Sequence, residues 1–377
     1  MSRWMGKFVI GVTGNIATGK SVVRKLLEHL GAYTIDVDTL TKRALSKGAP
    51  VYPKVVKLFG TWVFDNDGQI LRDRLVMLFF IDPNLKDRLD SIIEPLITKA
   101  IDILVRGAKQ SVVVIESKRL VGVDLSAGCD SIWVVTSSKE LQSLRLTKNR
   151  SLSENEAQQR ILAEPPQGYK LRAADVVINN DGHLENTWEQ VKEAWTKLSK
   201  PKEPFLSSKI PLKARDLIVR RGMPHDAADI AHFITEATRG KRRMTHMDVM
   251  NTFGEKTYLL IETDSRLVGA AGWYMENLVS CLDEFYFEQG LALDQAVPAL
   301  MKAVEILSQE LLSEVIILLV PPYLVQYMGA WSGLGYRSDT IQGLGVRAWQ
   351  EVAINTMRPG YLLWYKRLSE DRILRLF

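Results

Sequence analysis

Through the first half of the chain, short apolar runs alternate with amphipathic stretches. Lys7–Val12 reads Lys-Phe-Val-Ile-Gly-Val and predicts a buried strand, and 21–30 carries apolar residues at helical spacing. A second strand is expected at Ala32–Ile35, after the Gly31 that ends the first helix. A helix over Thr39–Ser46 follows. Helical patterns then cover 51–59, 72–80, 84–93 and 95–108, a block too long for one crossover, which predicts an inserted helical region. Lys109–Glu116, Ser131–Thr136 and Val176–Ile178 predict further buried strands, and His183–Leu198 a closing helix with Trp188 and Trp195. Strands alternating with helices imply a parallel α/β sheet.

The grammar changes after that helix. Residues 199–214 hold three prolines, three serines and four lysines, the composition of an extended linker. We therefore expect a first domain over 1–200, a linker over 201–214 and a second domain over 215–377. The second half predicts a strand at Asp216–Arg221 and a helix beginning at His225. A hairpin is expected from Thr257–Glu262 and Arg266–Tyr274 around Thr263-Asp-Ser. A strand near 278–287, a helix over 294–313 and a strand over 314–320 complete an α+β pattern.

Composition narrows the classes. At 377 residues, 46% hydrophobic and 25% charged, the chain has the makeup of a globular protein with a sizeable core. A net charge of +5 suits phosphorylated ligands. No basic block or aromatic-basic module supports nucleic-acid binding. Cys129 and Cys281 are too few for a disulfide framework or a cysteine metal site. No apolar run reaches the ~20 residues of a membrane span. The expectation is a cytoplasmic protein with neither a nucleic-acid nor a membrane partner; the oligomeric state stays open.

The chemistry concentrates at the first predicted strand–helix junction. Gly14, Asn15, Ile16, Ala17, Thr18, Gly19, Lys20 and Ser21 fit G-x-x-x-x-G-K-[ST], the phosphate-binding P-loop. Such a loop turns its backbone N–H groups and a helix N-terminus towards phosphate. Lys20 is expected to reach the β- and γ-phosphates of ATP, Ser21 to hold Mg²⁺ and the N–H of Val22 to touch the α-phosphate. Asp36 and Asp38 lie at the carboxyl end of the second strand, where ligands bind in such sheets. A kinase needs a carboxylate to orient or deprotonate its acceptor; the plainer role for Asp38 is to cap the following helix. Arg145, Arg150 and Arg160 lie in a cation-rich stretch suited to a lid over the transferring phosphoryl group. These features suit a small-molecule kinase or a nucleotide-binding regulatory protein.

Taken together, several motifs resemble the dephospho-CoA kinase family. They are Gly11-Val-Thr-Gly with Gly-Lys-Ser, and the run from Gly31 to Asp38. Lys47-Gly-Ala-Pro50, Phe59-Gly60, Asp67-Gly-Gln-Ile-Leu-Arg72 and Ile81-Asp-Pro83 agree. So do Ala157 with Arg160-Ile161, and Lys170 with Ala174-Asp-Val-Val-Ile-Asn-Asn-Asp-Gly182. The likeness spans about 7–198. It implies transfer of the ATP γ-phosphate to the ribose 3′-hydroxyl of dephospho-CoA. On that resemblance Asp38 is the general base, the loop with Lys20 and Ser21 is the ATP site, and Arg145 and Arg150 are lid residues. The sequence departs from the family at Asn15 and Ala17, where glycine is usual. It also departs at Glu94, Lys118, Gly122 and Glu164, while Glu116 keeps a leading carboxylate.

Residues 216–368 resemble the GNAT acetyltransferase fold. The stretch from Glu288 to Asp294 lacks the basic residue and second glycine of that fold's pyrophosphate loop, so a non-catalytic module is expected. His225 and His232 share a helical face without a third metal ligand. Trp273, Trp331, Trp349 and Trp364 read as core or interface anchors.

Overall fold

A computed structural model describes residues 3–198, 209–211 and 217–368, except 46, 48, 66, 67, 69, 83, 151 and 277. The expected linker lies largely outside the described residues. The first half runs β1 (Phe8–Thr13), α1 (Lys20–His29), β2 (Tyr33–Asp36), α2 (Val37–Ala44), α3 (Tyr52–Phe59), α4 (Arg72–Ile81) and α5 (Asn84–Gly107). It continues with β3 (Val112–Glu116), α6 (Asp124–Ala127), β4 (Ser131–Thr136), α7 (Lys139–Arg150), α8 (Glu154–Leu162), α9 (Gly168–Arg172), β5 (Val176–Asn179) and α10 (Leu184–Lys197).

The five strands form one parallel sheet in the order β2-β3-β1-β4-β5. The apolar runs are continuous because both faces of the sheet are covered. Ile10, Val12, Val114, Trp133 and Val135 pack under Val23, Leu26 and Leu27 of α1 and Trp188 and Val191 of α10. The opposite face, with Val9, Tyr33, Val113 and Ile115, meets the helical insertion. The chain leaves β1 towards β2 and β3 on one side and later adds β4 and β5 on the other. The crevice of such a sheet opens at that switch point, where the loop after β1 sits.

One expectation differs. Residues 84–107 form a single helix running through Pro95, where the sequence reading placed a break. Proline removes one backbone donor. The helix persists because Leu89, Ile93, Ile97, Ile101 and Leu104 keep one stripe on the core across that point.

The second half begins with β6 (Lys209–Pro211) and β7 (Leu217–Arg221), followed by α11 (Ala227–Ala237), α12 (His246–Phe253), β8 (Thr257–Thr263), β9 (Arg266–Glu276) and β10 (Val279–Phe287). It ends with α13 (Leu293–Glu310), β11 (Val315–Val320), α14 (Met328–Gly333), β12 (Arg337–Ser338), α15 (Arg347–Thr356) and β13 (Leu362–Arg367). Eight strands form one sheet in the order β12-β13-β11-β10-β9-β8-β7-β6, giving the expected α+β arrangement. The β8–β9 turn places Asp264 and Ser265 at φ 48° and 63°, conformations suited to a tight hairpin. β10 and β11 are parallel and pair over Val279–Leu282; beyond a register shift at Leu282/Glu284, β10 continues beside β9. Short β6 lies inside the expected linker and pairs with β7. Trp273, Trp331, Trp349 and Trp364 are all buried. One apolar cluster runs without interruption from the helical insertion into the second half.

Candidate active site

The loop from Gly14 to Gly19 links β1 to the first turn of α1. Gly19 has φ 94°, and a Cβ there would lie 1.9 Å from Asn180 Nδ2, so only glycine fits. Inside the loop, Lys20 Nζ donates to the Asn15 carbonyl at 3.0 Å, and Thr18 Oγ1 donates to the same oxygen at 3.0 Å. Burial pushes the Lys20 amine down, while Glu116 and Asp38 pull it back up. From outside, Arg145 NH1 donates to the carbonyls of Ala17 and Thr18 at 3.1 and 3.3 Å. Its other nitrogen donates to the Asn180 carbonyl at 2.6 Å. Asn180 Nδ2 donates to the Thr18 carbonyl at 2.9 Å. Arg145 thus braces the back of the loop. The side chain of Arg150 lies outside the described residues.

Both loop departures have structural counterparts. Ala17 sits at φ 56°, a left-handed conformation that costs a side-chain-bearing residue about 1 kcal/mol. Asn15 ties the loop to the segment around α9. Its Nδ2 donates to the Pro165 carbonyl at 3.1 Å, and its Oδ1 accepts from Lys170 Nζ at 2.9 Å. Glycine could make neither bond. Burial pushes the Lys170 amine down to about 8.

On the acceptor side, the cap of α2 is Asp36: its carboxylate accepts from the Thr39 N–H at 3.0 Å. Asp38 is free of that duty and lies in the first turn, exposed as a residue while its carboxyl is partly withdrawn from water. Loss of water around the carboxyl, then the charge of Asp36, raises its pKa; Lys20, Lys118 and Arg119 oppose the shift. Glu116 is buried and accepts from Arg24 Nε at 2.6 Å, with Asp36 4.0 Å from the same guanidinium. Its bond to Arg24 ties β3 to α1 beside Lys20.

Two further departures meet in space. Lys118 forms an ion pair with Glu164, joining the loop after β3 to the segment after α8. The Thr13 hydroxyl donates to the Lys118 carbonyl at 3.3 Å, which ties this residue to the end of β1. The Glu164 side chain is 5% exposed, and its Oε2 has no hydrogen-bond partner among the described residues. Each residue changes a family position, and together they compensate one another. A linear reading cannot see this, because they are far apart in sequence. Glu94 instead faces outward on α5, lining an open hollow with Ser91, Thr98 and Asp102.

The oxygen donors fit a hard cation. Ser21 is exposed at the start of α1, Asp38 lies near Lys20 of the loop, and Asp36 lies two residues before Asp38. Hydroxyl and carboxylate oxygens suit Mg²⁺. Elsewhere, His225 is exposed, and His232 lies 3.5 Å from Glu236. Among the described residues no group of three or more His, Cys, Asp or Glu converges as a metal centre. No helix there is long and apolar enough to cross a membrane.

A family model described as dephospho-CoA kinase matches residues 8–186. The dephospho-CoA kinase of Moorella thermoacetica is 35% identical over 197 residues, covering 51% of this chain and 93% of that protein. That of Carboxydothermus hydrogenoformans is 37% identical over 186 residues, 48% of this chain and 90% of its own. A solved Thermus thermophilus structure, 26% identical, covers 51% of this chain and 98% of its own with a TM-score of 0.46. A GNAT-family acetyltransferase structure from Staphylococcus aureus, 14% identical, covers 41% of this chain and 99% of its own with a TM-score of 0.32.

Proposed function

This chain belongs to the dephospho-CoA kinase family and uses ATP to phosphorylate dephospho-CoA to coenzyme A; within that reaction we propose that Asp38 is the general base. The observation that carries this assignment is the division of labour between two neighbouring carboxylates. Asp36 caps α2, which leaves Asp38 exposed beside the phosphate loop. Asp38 accepts the proton of the ribose 3′-hydroxyl as the oxygen attacks phosphorus. Its raised pKa makes it a stronger base than an ordinary carboxylate.

The rest of the site manages charge. Lys20 and the loop N–H groups hold the β- and γ-phosphates. Arg145 and Asn180 keep those N–H groups aligned by tying down the carbonyls behind them. Ser21, with Asp38 or Asp36 through water, would hold Mg²⁺, which offsets phosphate charge when bound. Lys118, steadied by Glu164, adds a cation near Asp38 and Lys20. Arg150 remains our second lid assignment. We also propose that the halves divide within 199–214, the kinase half ending with α10.

The test is steady-state turnover of ATP and dephospho-CoA by the native chain and by Asp38→Asn. We expect kcat to fall by about 10²–10⁴, the usual contribution of a general base. A change of less than threefold would remove Asp38 from that role. Because the base acts as carboxylate, native kcat should fall as pH drops through the raised pKa.

A further inference from the structure

The two helices that present the chemistry are both gripped at their far ends by the second half of the chain. α1 carries Lys20 and Ser21 at its start. At its other end His29 is buried, and its Nε2 hydrogen-bonds the Phe253 carbonyl at 2.9 Å. Thr257 Oγ1 lies 3.3 Å from His29 Nδ1, and the Phe253 ring stands edge-on at 5.1 Å. One residue earlier, buried Glu28 pairs with Lys25 at 2.8 Å and lies 3.9 Å from Arg221 of β7. The Arg221 guanidinium is buried without a hydrogen-bond partner among the described residues; it faces Glu28 and lies 5.7 Å from the Trp273 ring. Gly254 backs onto Val22 itself, whose side chain would be 3.5 Å from a Cβ added there.

The same holds for α2, which carries Asp38. On its later turns, Arg43 lies 3.6 Å from buried Glu314, and Lys42 lies 3.0 Å from Glu351 of α15. We propose that the second half is a positioning clamp for the kinase: it fixes the phosphate helix against the base helix through Arg221, Phe253 and Gly254 at one and Glu314 and Glu351 at the other.

Geometry makes such a clamp effective. α1 has ten residues, so its length is about 15 Å, and a tilt of about 4° at its rear swings its start by roughly 1 Å. Misplacement of that size can reduce a rate by about 10². The choice of residues also points to placement: an apolar contact would stabilise as well and tolerate sliding, whereas the His29 hydrogen bond to the Phe253 carbonyl forms in one register and the buried charges of Glu28 and Glu314 hold Arg221 and Arg43 beside them.

The test uses the full chain. Arg221→Met should raise KM for ATP about tenfold and lower kcat as well, because it loosens the phosphate helix that carries Lys20. Glu314→Gln should lower kcat about fivefold with KM for ATP near native, because it loosens the base helix. If either variant folds poorly, the exposed pair serves instead: Lys42→Glu should lower kcat, and adding Glu351→Lys should restore it. Melting temperatures are measured alongside. Native kinetic constants in all folded variants, with only melting temperatures lowered, would overturn the clamp and leave the second half a stabiliser. The α2 arm rests on Asp38 as base. If Asp38→Asn retains full turnover, that arm falls, while the KM shift of Arg221→Met still decides the α1 arm.

Discussion

The two ends of α1 carry similar residues to opposite purposes. At its start Lys20 and Ser21 lie at the crevice, where we place the phosphates. At its end Lys25, Glu28 and His29 are just as polar, yet all three are buried against β7, β8 and the end of α12. The first set exists to meet a ligand from outside. The second set meets fixed partners within the same chain: Glu28 lies between Lys25 and Arg221, and His29 bonds the Phe253 carbonyl. Polarity on a helix therefore signals an expected partner, and only the surroundings say whether that partner is water, a ligand or another part of the protein.

The contrast can be tested from the front end first. Lys20→Met should lower kcat by about 10³, since it removes a charge aimed at the phosphates, while the urea midpoint of unfolding stays native. Should stability fall as far as at the rear, the two ends would not differ as described. At the rear, Glu28→Gln leaves Lys25 and Arg221 without their buried counter-charge, and we expect a loss of about 3–5 kcal/mol in urea unfolding.

Acid should find the same weakness. Burial holds His29 neutral with its pKa near 3 rather than 6.5, and Glu28 sits near 2 instead of 4.5, where Lys25 and Arg221 outweigh its burial. Both folded values are depressed, so unfolding takes up protons. The His29 contribution is complete above pH 6.5 and declines as pH falls towards 3, and that of Glu28 declines from 4.5 towards 2. In His29→Asn the decline should begin nearer 4.5; identical curves for variant and native chains would contradict this.

Smaller effects sharpen the picture within the crevice. Lys118→Ala should cost about tenfold in kcat/KM, and Glu164→Gln less, as it keeps the shape but loosens the lysine. Ala17→Gly should raise stability by about 0.5 kcal/mol, because relief at φ 56° slightly exceeds the added entropy of the unfolded chain. A lower melting temperature in that variant would show the strain is absent.

The phosphate end was readable because one short motif contains both the chemistry and its scaffold. The apolar runs of β1, β3 and β4 were equally plain, since central strands covered on both faces are buried almost throughout, whereas β5 at the edge exposes Val177 and Asn179. The rear of α1 was opaque: Arg24, Lys25, Glu28 and His29 have the spacing of a solvated face. The burial of Lys25, Glu28 and His29 depends on a sheet assembled some two hundred residues later, while Arg24 turns to Glu116 and Asp36 of its own half. Pro95 misled for a related reason, as a local rule was overruled by the packing of Ile93 and Ile97 on either side. Lys118 and Glu164 were noticed singly as departures, and their meaning came only from their meeting. The short helix His246–Phe253 was missed, although Thr245 and Asp248 form a capping box at its start.

The strand β6 changes how such a chain can be taken apart. A stretch whose composition suggests a tether supplies the edge of the second sheet through its pairing with β7. Cutting just before residue 215 would strip that edge and expose the backbone of β7 to other chains. Cutting before residue 209 would leave the sheet whole. The second sheet therefore travels whole only when residues 209–211 go with it.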